Sequence, residues 1–222
     1  MADATPLSID VVSDVVCPWC YIGQRRLAAA ISSLPDDDAA RRAAVRWHPF
    51  QLNPGLPQAG ISRKQYLEDK FGGSERAAQI YARVTAAGAS VGIAFAFDRI
   101  EIQPNTRDAH RLVAWAQSQG DASDLVQRLF HAYFVDGRAL GDHAVLAAIA
   151  GEAGLPSDEA RRLLDSGEGL DAIALMDRRA REIGVQGVPF FIFNQRVAVS
   201  GAQEPDTLLD AIAQARAKHL RP

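Results

Sequence analysis

Polar and apolar residues alternate at the start of the chain, and the period then changes. Leu7 to Asp14, LSIDVVSD, combines alternation with β-branched residues and predicts a buried strand. From Pro18 to about Ile31, apolar positions at Ile22, Leu27, Ala30 and Ile31 predict a helix, with Pro18 suited to its first turn. Ala44 to Pro54, AVRWHPFQLNP, predicts a second strand that ends at Pro54. Strand, helix, strand is the opening unit, with its two strands most naturally parallel.

From about Ser62 the period becomes helical. SRKQYLEDKFGG and SERAAQIYARVTAAGASVG are amphipathic, each closed by glycine. A less regular segment, IAFAFDRIEIQPN, follows, and helical patterns then run from TRDAHRLVAWAQSQG to the stretch Leu170 to Ile183. VPFFIFNQRVAVSG predicts a hairpin turning at Asn194-Gln195, and EPDTLLDAIAQARAKHL a closing helix with Pro205 in its first turn. The outer segments need each other to build one sheet and core. The reading is therefore an α/β domain made of residues 1–61 and 172–222, with residues 62–171 an α-helical insertion domain.

The chain has 222 residues, of which 48% are hydrophobic and 23% charged, the balance of a globular protein. A formal charge of −3 with both signs interspersed leaves no basic face for nucleic acid and no polybasic run for a membrane surface. No segment approaches the roughly 20 apolar residues that span a bilayer. The N-terminal MADATPLSIDVVSD has no basic region of the signal-peptide kind, so a cytoplasmic location is expected. Thiols are kept reduced there, which makes a cysteine pair more plausibly catalytic or metal-binding than a structural staple.

The only two cysteines, Cys17 and Cys20, lie three apart in CPWC. Chance would place two cysteines at that spacing in a chain of this length about one time in a hundred. With Cys17 at the helix cap and Cys20 one turn in, the sulfurs share one side and can close a small ring. Cys17 then sits at the positive end of the helix dipole, a setting that favours a thiolate. Cys20, shielded by the first turn, is placed to resolve a mixed disulfide formed at Cys17. A closed zinc site needs four ligands, and no second CxxC or HxxxH pair supplies them; His48, His110, His131, His143 and His219 are scattered. Two inert buried cysteines are the bland alternative. The strand–CxxC–helix setting favours dithiol chemistry over both, and no metal is expected.

DVVCPWCYIGQRRL, RWHPFQLNP, PNTRDAHRLVAWA and GVQGVPFFIFNQRVAVSGAQEPDTLLDAI together resemble a DsbA-family thioredoxin-fold oxidoreductase of the FrnE type. The same superfamily holds 2-hydroxychromene-2-carboxylate isomerases and kappa-class glutathione transferases, which usually carry serine where Cys17 stands and lack the second cysteine. The resemblance implies a thioredoxin fold interrupted by a large α-helical insertion, with a CPWC dithiol/disulfide centre. It also implies a cis bond at Val188-Pro189 facing that centre, with the Val188 backbone offering strand-like hydrogen bonds to a substrate. Between the cysteines, Trp19 either covers apolar surface or stands exposed beside Cys17 and shapes substrate access, and the Pro18-Trp19 dipeptide would tune the redox potential. Asn53 and Asn105-Thr106 match positions lining the cleft in the isomerase and transferase relatives, although a turn-forming asparagine and an N-capping threonine explain them equally well.

His110, four residues after Thr106, either reaches the cleft or is a partly buried, hydrogen-bonded histidine. Ser200, with Gly201 to Gln203, either holds a glutathione carboxylate at a helix N-terminus or only caps the helix. Arg25 and Arg26 read as solvated helix charges, and Asp14 either modulates Cys20 or ends a strand. No permanently bound cofactor is expected, with glutathione as a candidate co-substrate. The expected partners are a disulfide-containing protein or a low-molecular-weight thiol, plus an external redox partner, because no second cysteine pair exists. A homodimer is compatible with these relatives. The alternative reading is a glutathione-dependent isomerase or transferase acting on a small aromatic or polyketide-like molecule, for which Cys20 is dispensable.

Overall fold

A computed structural model describes residues 7–217. Met1 to Pro6, the last residues of the closing helix pattern and His219 lie outside the described residues. The main sheet has four strands, β1 (Ser8–Ser13), β2 (Ala44–Pro49), β5 (Phe190–Phe193) and β6 (Val197–Ser200), in the order β2-β1-β5-β6. β1 and β2 are parallel, as expected of strands joined by a helix, while β5 and β6 run antiparallel. The β5–β6 turn falls at Asn194 and Gln195, both at positive φ (48° and 56°), and Arg196 N closes it by donating to the Phe193 carbonyl. Asn194 Oδ1 also accepts from the Ser8 amide, tying the hairpin to β1.

α1 (Pro18–Ser33) follows β1 and outlasts the sequence expectation by two residues. Between β2 and β5 lie α2 (Arg63–Phe71), α3 (Ser74–Ala89), α4 (Arg107–Gln119), α5 (Ser123–Phe134), α6 (His143–Glu152), α7 (Ser157–Asp165) and α8 (Leu170–Glu182). The less regular IAFAFDRIEIQPN contributes β4 (Ile102–Gln103), which pairs antiparallel with β3 (Ile61–Ser62) in a ribbon the sequence did not announce. Local chemistry sets the ends. Ser62 Oγ caps α2 by accepting from the Gln65 amide, Gly72 closes it at φ 75°, and Asp142 caps α6. α9 (Pro205–Arg216) starts on proline.

One hydrophobic core runs from β1 through α1 into the helices. It contains Ile9 and Val11, then Tyr21 and Ile22, then Phe130, Phe134 and Leu146. Tyr21 stacks on Phe130 at 5.2 Å between ring centroids, so the residue after Cys20 anchors α1 in α5. A smaller cluster of Val12, Phe50, Ala180 and Val185 covers the other face of the sheet beneath α8.

β2 is an edge strand, and it is shorter than the sequence pattern suggested. It ends at Pro49 rather than Pro54, because the next amides are taken by distant side chains: Gln51 N donates to Asp177 and Leu52 N to Asp14. The free side of β2 is also occupied at its middle. Gln117 of α4 accepts from the Trp47 amide and donates to the Trp47 carbonyl at 2.9 Å.

Candidate active site

Cys17 is the N-cap residue of α1, as its spacing from Pro18 requires, in extended conformation at φ −94° and ψ 113°. Its carbonyl accepts from the amides of Cys20 and Tyr21, and its own amide donates to the Asp14 carbonyl. A tight turn thus presents the Cys17 side chain at the positive end of a 16-residue helix. Its thiol points across to the loop before β5 and donates to the Val188 carbonyl at 3.6 Å. The Val188-Pro189 bond is cis. The structure therefore brings Cys17, Val188 and Pro189 together although 171 residues separate the first two. Trp19, 40% exposed, stands on the solvent side of the same turn, with half-buried Pro18.

Cys20 lies one turn in and is buried. Neither sulfur is in a disulfide. Burial pushes the Cys20 thiol well above the ordinary cysteine range, and the neighbouring Cys17 sulfur adds to the rise; the Ser13 hydroxyl and the Asp14 backbone pull the other way. The pair is thus asymmetric: both cysteines are buried, but one sulfur faces the Val188 carbonyl and the other sits one turn behind it with its thiol pushed up.

Close packing fixes the distance between α1 and the Val188-Pro189 loop. A Cβ built on Gly23 would meet Pro189 Cγ at 2.9 Å and Phe191 at 3.1 Å, so only glycine fits there without displacement. Arg26 is buried, not a solvated charge. Its guanidinium donates to the Ala202 carbonyl and pairs with Glu204, holding the loop after β6 against α1. That loop is further tied by Gly201 N donating to the Pro189 carbonyl at 2.8 Å. The signal for Arg26 was present in the sequence, since it lies four residues after Ile22 and four before Ala30 on the buried face of the helix. Gly23 gave no periodic signal, and its role emerges only once Pro189 is placed.

The remaining expected residues fall at varying distances from this centre. Ser200 pairs with Phe190 across the hairpin, and its side chain is exposed. Glu204 is the N-cap residue of α9 but makes no side-chain capping bond, its carboxylate pairing with Arg26, and Asp206 stands in the first turn. Asn53 is half-buried in the turn after β2, where its carbonyl accepts from Leu56 N and its Nδ2 has no partner. Thr106 is the N-cap residue of α4 but makes no capping bond; Asn105 Oδ1 accepts from Arg107 N instead. Asn105 also accepts from Gln51 and donates to the Leu56 carbonyl, stitching the loop after β2 to α4.

His110 is buried rather than open to the front, and its Nε2 lies 3.3 Å from Asp14 Oδ1. The angle between them is too poor for a hydrogen bond. Asp14 is fully buried and does more than end a strand, since its other oxygen accepts from Leu52 N at 2.8 Å. Among the described residues, no three His, Cys, Asp or Glu side chains gather as a metal site would need, and no helix is long and apolar enough to cross a membrane.

Known proteins give this geometry a context. A probable DsbA oxidoreductase from Streptomyces coelicolor superposes with a TM-score of 0.85 at 29% identity, over 97% of this chain and 93% of that one. A 2-hydroxychromene-2-carboxylate isomerase shares the fold with a TM-score of 0.66 at 17% identity, over 93% and 95% of the two chains. The cytosolic disulfide reductase DsbM of Pseudomonas aeruginosa, solved with glutathione, shares it at 0.57 and 20%, over 94% and 95%. The family model of the DSBA-like thioredoxin domain matches residues 8–213, nearly the whole described chain, and the protein belongs to that family.

Proposed function

We propose that the protein is a thiol–disulfide oxidoreductase whose working centre is the Cys17–Cys20 pair. The observation that carries this reading is the asymmetry of the two sulfurs, with Cys17 facing the Val188 carbonyl and Cys20 buried one turn behind it. Cys17 attacks a substrate disulfide, the substrate backbone aligns along Val188-Pro189, and Cys20 resolves the mixed disulfide. Trp19 and Pro18 border the approach. Residues 62–171 serve as a helical insertion that backs the centre through Tyr21 and α4. The pair works in either direction, set by the external thiol couple that recharges it. Glutathione is a candidate for that couple, in keeping with the glutathione-bound reductase of the same fold. A reducing, cytoplasmic setting suits such recharging.

The isomerase neighbour supplies the rival, in which one group at position 17 serves glutathione chemistry and Cys20 is idle. Comparing Cys17→Ser with Cys20→Ser separates the two in a glutathione-coupled assay on a disulfide peptide. Cys17→Ser is expected to abolish turnover, and Cys20→Ser to stop it after one addition, with the peptide held as a mixed disulfide visible by mass spectrometry. Full turnover by Cys20→Ser would refute the dithiol reading.

A further inference from the structure

Three polar atoms that the fold leaves without partners gather behind the cysteine pair. Ser13 Oγ, Asp14 Oδ1 and His110 Nε2 are buried and make no hydrogen bond, and their residues are 5%, 0% and 6% exposed. A buried polar atom without a hydrogen bond is costly, so a group of them in one place calls for a use. Ser13 Oγ stands beside the Cys20 sulfur, whose thiol it pulls down, and His110 Nε2 lies 3.3 Å from Asp14 Oδ1. Ser13 and His110 also line a cavity of about 430 Å³ along the free edge of β2, walled by Trp47, Val113 and Gln117. Exposed Arg46, Asp121 and Met176 form its mouth. At about 30 Å³ per water, it has room for several waters next to the Ser13 and His110 residues. Cys17, Trp19 and Pro189 take no part in its lining, so the centre has a front for substrate and a separate rear.

We propose that His110, paired with Asp14, takes up the proton of Cys20 through the Ser13 hydroxyl and the rear cavity. The inference rests on the dithiol reading above. In the mixed disulfide Cys17–S–S–R, the Cys20 S–H bond breaks and its proton passes to Ser13 Oγ, whose own proton moves through cavity water to the neutral imidazole. The Cys20 thiolate then bonds to Cys17 Sγ, and the S–S bond to R breaks with its electron pair leaving on R–S⁻. The substrate sulfur is reduced and the cysteine pair oxidised. Asp14 balances the imidazolium until its proton leaves through the cavity mouth, while R–S⁻ is protonated by solvent. His110 acts through Ser13 and is a relay residue, not a group touching the sulfurs.

The other charged groups around His110 are accounted for. Arg46, His48 and Asp121 share the cavity, and His48 is held by Asp10 at 2.8 Å. From α8, Asp177 is bound by Arg181 and the Gln51 amide. Arg107 and Arg111 flank His110 on its own helix, with Arg111 paired to Asp108. Among the described histidines, His110 is the one whose Nε2 is buried and unbonded, and it lines this cavity.

Ellman's reagent resolves the two half-reactions, since Cys17 attack releases the first thionitrobenzoate and Cys20 resolution the second. In His110→Gln the second release is expected to slow about tenfold or more near neutral pH, with the first release within about twofold of wild type. Adding imidazole to His110→Ala is expected to restore the second release about fivefold, because the cavity mouth admits the ring to the vacated place. An unaltered second release in His110→Gln overturns the relay, as does a loss in His110→Ala that imidazole leaves unrestored. A wild-type protein releasing only one equivalent would instead sink the dithiol reading itself.

Discussion

Helix α4 carries two buried ionic groups side by side, and they are completed to different degrees. Arg111 donates to Asp108 and to the carbonyls of Leu163, Leu164, Ser166 and Glu168, closing the C-terminal end of α7. Asp108 is shared with His143, which reaches Asp165 through its other ring nitrogen. One residue earlier, His110 faces Asp14 with an unbonded nitrogen and an unbonded oxygen. A cluster with every bond made has no low-cost way to accept or give up a proton, and its use is to fix α4 against α6 and α7. A cluster left incomplete beside a cavity sacrifices stability and keeps a place for a proton.

The largest expected effect tests the completed side. Arg111→Met takes the buried cationic partner from Asp108, which keeps His143 and Gln58. It also leaves the carbonyls of Leu163, Leu164, Ser166 and Glu168 without this donor. The substitution should destabilise the protein by about 3–5 kcal/mol, read from the urea midpoint. Both releases from Ellman's reagent should stay unchanged per folded molecule. A selective loss of the second release would erase the distinction between the two clusters.

A smaller effect is its pH dependence. Burial pulls the His143 pKa down, but the Asp165 and Asp108 carboxylates outweigh it and leave His143 above its ordinary 6.5. Burial pushes Asp108 up, but Arg111 and His143 outweigh it and leave Asp108 below its ordinary 3.8. The His143 contribution is thus complete below the unfolded value and disappears as pH rises through the raised folded one. The Asp108 contribution is complete above the unfolded value and disappears as pH falls through the depressed folded one. Stability should be greatest between the carboxylate and histidine ranges. His143→Gln should remove the decline on the alkaline side, and an unchanged decline in that variant would count against this pairing.

The smallest effect belongs to the incomplete side. His110→Gln forfeits no hydrogen bond at Nε2, and glutamine can still reach Asp14, so its thermal or urea stability should fall by roughly 1 kcal/mol or less. A loss as large as that of Arg111→Met would make His110 another structural clamp.

Local features of this architecture were legible in the sequence because they are written by neighbouring residues. The β1–CPWC–α1 unit, the Asn194-Gln195 turn and the proline starts of α1 and α9 follow from period and from φ preference. The end of β2 was not legible, because the acceptors that capture Gln51 and Leu52 sit at Asp177 and Asp14. Thr106 looked like the cap of α4, yet Asn105 performs it; either residue type serves, and only geometry chooses. The facing of Cys17 and Val188 needed a family resemblance, since no local pattern joins residues so far apart. Asp14 and His110 were each visible as titratable residues, but their meeting depends on how α4 lies against the end of β1.

The Gln117 clamp on Trp47 has a consequence outside the chemistry of the sulfurs. A bare edge strand is a template on which another chain can add a strand by backbone pairing. Here a single side-chain amide mimics a peptide unit and takes both the donor and the acceptor at the centre of β2. A strand approaching from outside finds the middle of its row already occupied, and the sheet stops growing at four.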